Sequence, residues 1–316
     1  MRENPASPRS VSLPVLRADR ASSRGPDRRG FMKFTGAAML SLAALPASSG
    51  HGHTDPNTAR MGVLVDLTEC IGCRRCEFAC AEANGNPHDP IESYDDQSVF
   101  AETRRPTPGS LSVVNRPVNA ASDGTPVHVK IQCMHCEHAP CVSACLVGAM
   151  QKNPDGAVTY DASRCIGCRY CMVACPFERL SYEYDAALAP RIRKCELCRD
   201  RTANGKLPAC VEICPVEALT YGERDQLIRY AHERIAEHPD RYIDHVYGET
   251  EGGGTSWLYL ADRPFSELGF PTLGPRSSAE VTEAIQHGIF QGFAAPLALF
   301  GVMAGLNFLT KRGSHS

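Results

Sequence analysis

Apolar and polar positions along the chain make few long patterns. Gly62-Val-Leu-Val-Asp66 and Ala157-Val-Thr-Tyr160 have the length and β-branched content of short strands. A helical period runs from Glu223 to about Glu237, and a further strand is predicted around Trp257–Ala261. Short helices are predicted after Cys80, Cys145, Cys175 and Cys214. Residues 81–130 are rich in Pro, Asn and Ser and read as loop and hairpin. Two apolar runs lie near the ends. Phe34 to Leu45 is too short to cross a bilayer. Gly288 to Leu309 carries no charge and, as a helix, is about 33 Å long, enough to cross the hydrocarbon layer. Lys311 and Arg312 follow at once, which predicts a membrane anchor with a cytoplasmic C-terminus. Gly288/Gly292 and Gly301/Gly305 are G-x-x-x-G pairs that let a second helix approach, and Pro296 is expected to kink the span.

Charge sharpens the reading of the first segment. Residues 1–50 hold eight Lys/Arg against three acids, while the whole chain of 316 residues is net −3, so the remainder is acidic. An acidic body with no basic stripe excludes nucleic acid as a partner. Within the basic segment, Arg28-Arg29-Gly30-Phe31-Met32-Lys33 precedes the Phe34–Leu45 run and the small residues Ala47-Ser48-Ser49-Gly50. That order is a twin-arginine export signal with its apolar core and cleavage zone. The expected location is the periplasmic side of the inner membrane.

Sixteen cysteines change the picture most, because all lie between Cys70 and Cys214. They form four motifs. The first is Cys70-x2-Cys73-x2-Cys76-x3-Cys80, and the second Cys133-x2-Cys136-x4-Cys141-x3-Cys145. The third is Cys165-x2-Cys168-x2-Cys171-x3-Cys175-Pro176, and the fourth Cys195-x2-Cys198-x11-Cys210-x3-Cys214-Pro215. A cubane offers four irons, each needing one thiolate. Three cysteines on a tight loop reach three corners, and the fourth, expected to begin a helix, points to the neighbouring cluster. Ile71-Gly72 and Ile166-Gly167 place a small residue where backbone N–H groups approach a sulfur. Disulfides fit poorly, since C-x-x-C neighbours make a weak framework and a chain this long needs no eight staples. Structural zinc uses two separated C-x-x-C knuckles rather than C-x2-C-x2-C followed by x3-C-P. His135 and His138 flank Cys136 and read as supporting or surface residues, because the thiols already suffice. Arg74, Arg75, Arg169 and Arg193 lie near ligands, some to offset cluster charge, and Trp257 reads as core.

The motif series, with Gly167-Cys-Arg-Tyr-Cys-Met-Val-Ala-Cys-Pro176 and Lys194-Cys-Glu-Leu-Cys198, resembles the iron–sulfur subunits of the dimethyl-sulfoxide-reductase superfamily complexes, among them formate dehydrogenases and membrane-bound [NiFe] hydrogenases. Arg241-Tyr-Ile-Asp-His-Val-Tyr-Gly-Glu-Thr-Glu-Gly-Gly-Gly-Thr255 is similar to the iron–sulfur subunit of menaquinone-linked [NiFe] hydrogenases and of high-molecular-weight cytochrome complexes. The resemblance implies four [4Fe–4S] clusters. Cluster one takes Cys70, Cys73, Cys76 and Cys214, and cluster two takes Cys195, Cys198, Cys210 and Cys80. Cluster three takes Cys133, Cys136, Cys141 and Cys175, and cluster four takes Cys165, Cys168, Cys171 and Cys145. Cys80 precedes Ala81 and Cys145 precedes Leu146, where relatives commonly have proline.

The implied fold is α+β: two interleaved bacterial ferredoxin-like modules with insertions, plus one C-terminal transmembrane helix. The segments are 1–50, the signal peptide; 61–222, the four-cluster domain with its insertion at 81–130; 223–283, an extension; and 284–312, the anchor. No nucleotide-binding glycine loop or nucleophile–base signature is present, so the chain reads as a conductor and not a catalyst. The expected function is electron relay in a periplasm-facing, quinone-linked complex. Its partners would be an extracytoplasmic catalytic or multihaem cytochrome subunit and an integral membrane quinone-reactive subunit. The alternatives are a stand-alone membrane-anchored polyferredoxin, or the beta subunit of a formate dehydrogenase or similar molybdoenzyme.

Overall fold

A computed structural model describes residues 59–117 and 126–313. The twin-arginine segment lies outside them. The chain mixes short strands and helices. Its central sheet joins three strands in the order β8-β1-β9: β1 (Met61–Asp66), β8 (Leu219–Glu223) and β9 (Trp257–Leu260). β8 runs antiparallel to β1, pairing Met61 with Glu223, and β9 runs parallel to it, pairing Val63 with Trp257. Three antiparallel pairs complete the strand content of the described residues: β2 (Val113–Asn115) with β3 (Val129–Ile131), β4 (Met150–Lys152) with β5 (Val158–Tyr160), and β6 (Ser181–Tyr182) with β7 (Ile192–Arg193). The pair β2–β3 closes the segment expected to be loop and hairpin.

β1 is buried on both faces, and the alternation of side chains sorts them. Val63 and Val65 face the main core together with Trp257 and Tyr259. Leu64, Leu258 and Leu260 face the other way, onto Leu227, Ala231 and Ile235. Those three recur four apart along α6 (Arg224–Glu237), which gives that helix one apolar stripe. Burying each of these leucines contributes about 1.5–3 kcal/mol. Gly62 has no alternative in this sheet, since a Cβ there would lie 2.5 Å from the Ser256 carbonyl oxygen.

The helices of the cysteine segments are α1 (Arg75–Ala83), α2 (Pro140–Ser143), α3 (Tyr170–Ala174), α4 (Arg199–Thr202) and α5 (Ala209–Glu212). They correct an expectation. α2, α3 and α5 come before the fourth cysteine of their motifs and stop there, instead of starting after it. In the third and fourth motifs the reason is Pro176 and Pro215, each of which drives the cysteine before it out of the helical region. Cys175 accordingly has φ −78 and ψ 109. Only α1 runs through its fourth cysteine, Cys80, and there the next residue is Ala81.

The last helix, α7 (Ala279–Gly313), corrects a larger one. Among the described residues no helix is long and apolar enough to cross a membrane, so the predicted transmembrane anchor at 284–312 is not a feature of this fold. Polar positions divide the apolar run. Between Gln291 and Asn307 lie fifteen residues, about 22 Å of helix, with a proline and three glycines among them. That falls short of the roughly 30 Å of hydrocarbon. The helix instead starts as part of the cysteine-rich body. Ser277 Oγ donates to the His138 carbonyl at 2.7 Å and accepts the Ala279 N–H at 3.0 Å. Glu283 meets His138 Nε2 at 2.8 Å and also the Ser143 hydroxyl, and Gln286 donates to the Ser143 carbonyl at 3.1 Å.

Candidate metal centres

The four motifs share a backbone device. The residue two after the first cysteine is left-handed in each: Gly72 at φ 72, His135 at φ 50, Gly167 at φ 71 and Leu197 at φ 57. The third residue after the last cysteine repeats the conformation in three of them, at Gly148, Glu178 and Glu217. Every non-glycine residue with positive φ among the described residues falls inside a motif or three residues past its last cysteine. Such conformations cost free energy, and they persist where the surroundings over-determine the loop. Here they curl the chain so that amides turn toward sulfur. The Gly167 N–H donates to Cys165 Sγ and the Leu197 N–H to Cys195 Sγ, both at 3.4 Å. Ala149 N–H donates to Cys145 Sγ at 3.1 Å, and Asn84 Nδ2 reaches Cys80 Sγ at 3.7 Å.

Two cavities lie beneath these loops. One is walled by Cys70, Cys73, Cys76 and Cys214, with Val65, Val114 and Leu219 behind them. The other is walled by Cys80, Cys195, Cys198 and Cys210, closed by Ser112 and Trp257. In each, three cysteines come from one motif and the fourth from the other. The remaining eight cysteines sort by electrostatic proximity. Burial pushes the Cys136 thiol well up, and Cys141, Cys133 and Cys175 push it further. The Cys171 thiol is pushed up to about 12 by burial, then by Cys145, Cys168 and Cys165. All sixteen cysteines are free of disulfides, and Cys168 alone is exposed.

This donor set fits an iron–sulfur cluster. Burial holds the Cys76, Cys136 and Cys195 thiols well above their ordinary range, and such groups become thiolates around a cationic centre. No group of three or more His, Cys, Asp and Glu among the described residues is arranged for a single ion. A lone zinc needs its sulfurs converging at about 2.3 Å on one point, whereas a cubane takes each thiolate at its own corner.

Neighbouring side chains divide into supports and bystanders. His135 is fully buried, and its Nδ1 accepts the Val158 N–H at 2.8 Å, which locks a loop and a strand together. Burial, with Lys194 and Lys152 nearby, holds its imidazole well below the usual range. His138 sits at the surface with Glu283. Arg74 is buried and donates to the carbonyls of Tyr94 and Asp96 at 3.3 and 3.1 Å. Arg75 is exposed. Arg169 lies over the rings of Tyr182 and Tyr184, and Arg193 donates to Asn86. Trp257 is core, 1 % exposed.

Sequence reasoning missed Lys130. It is 2 % exposed and lines both cavities. One signal was available: a lysine flanked by Val129 and Ile131 in a run leading directly into Cys133 is an unusual strand residue.

Comparison with known proteins agrees with this chemistry. The 4Fe-4S dicluster domain family matches residues 127–224. A protein of Nitratidesulfovibrio vulgaris is 52% identical over 81% of this chain and 70% of its own length. The Hydrogenase-2 operon protein HybA of Escherichia coli O157:H7 is 34% identical over 92% of this chain and 96% of its own. The iron-sulfur subunit of the nitrate-inducible formate dehydrogenase of Escherichia coli K12 is 32% identical over 84% and 90%. With likeness spanning nearly the whole of both chains and a cysteine-walled interior, this chain belongs to the family of iron–sulfur electron-transfer subunits of hydrogenase and molybdoenzyme complexes, which are not the catalytic subunits.

Proposed function

We propose that the chain is a four-cluster relay that passes electrons between an extracytoplasmic redox partner and an integral membrane quinone-reactive subunit. The sharing of cysteines between motifs carries this reading. Each cavity takes three thiols from one motif and one from the other, as two clusters exchanging ligands require. On this reading Cys70, Cys73, Cys76 and Cys214 hold cluster one, and Cys195, Cys198, Cys210 and Cys80 hold cluster two. Cys133, Cys136, Cys141 and Cys175 hold cluster three, and Cys165, Cys168, Cys171 and Cys145 hold cluster four.

The bound clusters supply one-electron chemistry. The protein would hold two of them in the two cysteine-walled cavities, aims N–H groups at cysteine sulfurs and excludes water with Val65, Val114, Leu219 and Trp257. The twin-arginine motif at Arg28-Arg29 supports a periplasmic position, because that route suits a protein whose cofactors are inserted before export. The extracytoplasmic partner on this reading is a catalytic or multihaem cytochrome subunit, and the likeness to a hydrogenase-2 operon protein supports the hydrogenase class.

Iron and acid-labile sulfide, with EPR of the anaerobically purified complex, test the proposal. The expected result is about sixteen irons per chain with signals from interacting clusters. A count near twelve would remove one cluster from the relay. Zinc or disulfides in place of iron would end the proposal.

A further inference from the structure

Lys130 occupies a position that ordinary folding does not explain. It is the charged residue that lines both the Cys70–Cys73–Cys76–Cys214 cavity and the Cys80–Cys195–Cys198–Cys210 cavity. Its Nζ donates to Gln132 Oε1 at 3.1 Å and lies 5.0 Å from the centre of the Trp257 ring. The strand itself is tied down. Gln132 Nε2 donates to Tyr259 OH at 2.6 Å, and Tyr259 OH donates to the Lys130 carbonyl at 3.1 Å. All four residues are nearly inaccessible to water.

What Lys130 lacks is an anion of its own. Among the described residues no carboxylate pairs with it, and its hydrogen-bond partner Gln132 is neutral. Half-buried Lys152 differs, with Glu137 at 3.3 Å, whereas buried Lys194 likewise has no carboxylate and donates to the carbonyls of Val158 and Cys195; neither lines both cavities. An ammonium buried with one amide and one aromatic face is expensive to keep. The compensating charge comes from the two sets of thiols it separates. Those sets are Cys70, Cys73, Cys76 and Cys214 on one side and Cys80, Cys195, Cys198 and Cys210 on the other.

We propose that Lys130 is a shared counter-charge for clusters one and two, a fixed cation between the two cavities that raises the reduction potential of both. This rests on the reading that those cavities hold clusters. In one hop the reduced cluster gives a single electron to its oxidised neighbour. No bond forms or breaks, no proton moves, and the ammonium stays charged. The summed charge of the pair is the same before and after. A cation between them therefore favours the electron on either cluster and adds little bias to its direction. Without it, both members of the pair would be reduced at a lower potential.

The test is potentiometric EPR on the intact complex, with Lys130→Met and Lys130→Arg beside the unaltered protein. Lys130→Met keeps the length and removes the charge. Two of the four midpoints are expected to fall together, each reduction equilibrium by about tenfold, which is 59 mV for one electron. The other two are expected to hold, with iron content unchanged. Lys130→Arg is expected to stay within about twofold of the unaltered protein. No shift, a shift of one cluster only, or an equal shift with arginine would overturn the proposal. Should Lys130→Met lose iron, the arginine variant decides. Retained iron with both midpoints in place supports a charge role, whereas the same loss makes Lys130 a matter of shape and overturns it. An unaltered protein without iron would sink the relay reading first, and this inference with it.

Discussion

Single residues hold the sites at two kinds of place, turns and buried carboxylates. A Cβ at Gly72 would run into the ring of His128, which is itself set against Phe100 with centroids 5.1 Å apart. The backbone there is left-handed as well, at φ 72. Gly72→Ala is expected to cost at least 1 kcal/mol from backbone alone and to deplete cluster-one iron; iron content and the melting temperature check it. Glu77 is 4 % exposed and accepts from Arg104 at 2.6 Å and from the Val114 N–H at 2.6 Å, with Arg74 at 3.5 Å. Glu77→Gln leaves two guanidinium groups without their anion, so a loss of about 3–5 kcal/mol is expected in urea unfolding. An unchanged midpoint would refute that pairing. The cysteines and Gly72 were legible in the sequence because their spacing is local. Glu77 and Lys130 were not, because their partners lie far along the chain and a lone charged residue carries no mark of burial.

At the scale of elements, the third antiparallel pair is the most exposed to test. β6 and β7 are two residues each, so side chains carry much of their pairing. Glu183 accepts from the Arg191 N–H at 3.1 Å and from its Nε at 3.0 Å. Those bonds hold its carboxyl below the ordinary carboxylate range. A depressed value means the contribution is complete above the ordinary pKa and disappears as pH falls through the folded one. Glu183→Gln is expected to lower stability by about 0.5 kcal/mol at neutral pH, and its difference from the unaltered protein is expected to shrink below the ordinary carboxylate range and close below the depressed folded pKa. Thermal unfolding across pH reads both. Such two-residue strands have no period to detect, which is why the sequence shows β1, β5, α6 and β9 but not β6 or β7. The helices were misplaced for a related reason. Spacing between cysteines does not reveal on which side of the last one the helix lies, although the proline after Cys175 and Cys214 held that information. The apolar stretch before Lys311 misled differently, since absence of charge was weighed above the polar residues dividing it.

For the whole molecule, the main core is built partly of cysteines that the proposed function makes ligands. Cys133, Cys136, Cys141, Cys171, Cys195 and Cys210 are buried within it, beside Trp257 and Tyr259. Stripping iron therefore removes the centre of the packing and is expected to abolish cooperative unfolding and protease resistance together. Circular dichroism and limited proteolysis of the chelator-treated chain check this. The exchange of cysteines makes a second prediction. Cys214→Ser lies in the fourth motif yet is expected to damage cluster one, leaving the cluster-two signal in EPR. Loss of the cluster-two signal instead would mean each motif serves itself.

The parallel strand β9 also sets a timetable. β1 is the first strand of the described chain, but its partners Leu219–Glu223 and Trp257–Leu260 emerge from the ribosome long after it. At 5–20 residues per second, the interval between Cys80 and Leu260 is roughly 9–36 s. During that time the earliest thiols are made but have neither their sheet nor Cys214. On the proposed ligand set, metal insertion at the first motif thus waits until Cys214 has emerged, and the first-made thiols wait longest for their fourth partner.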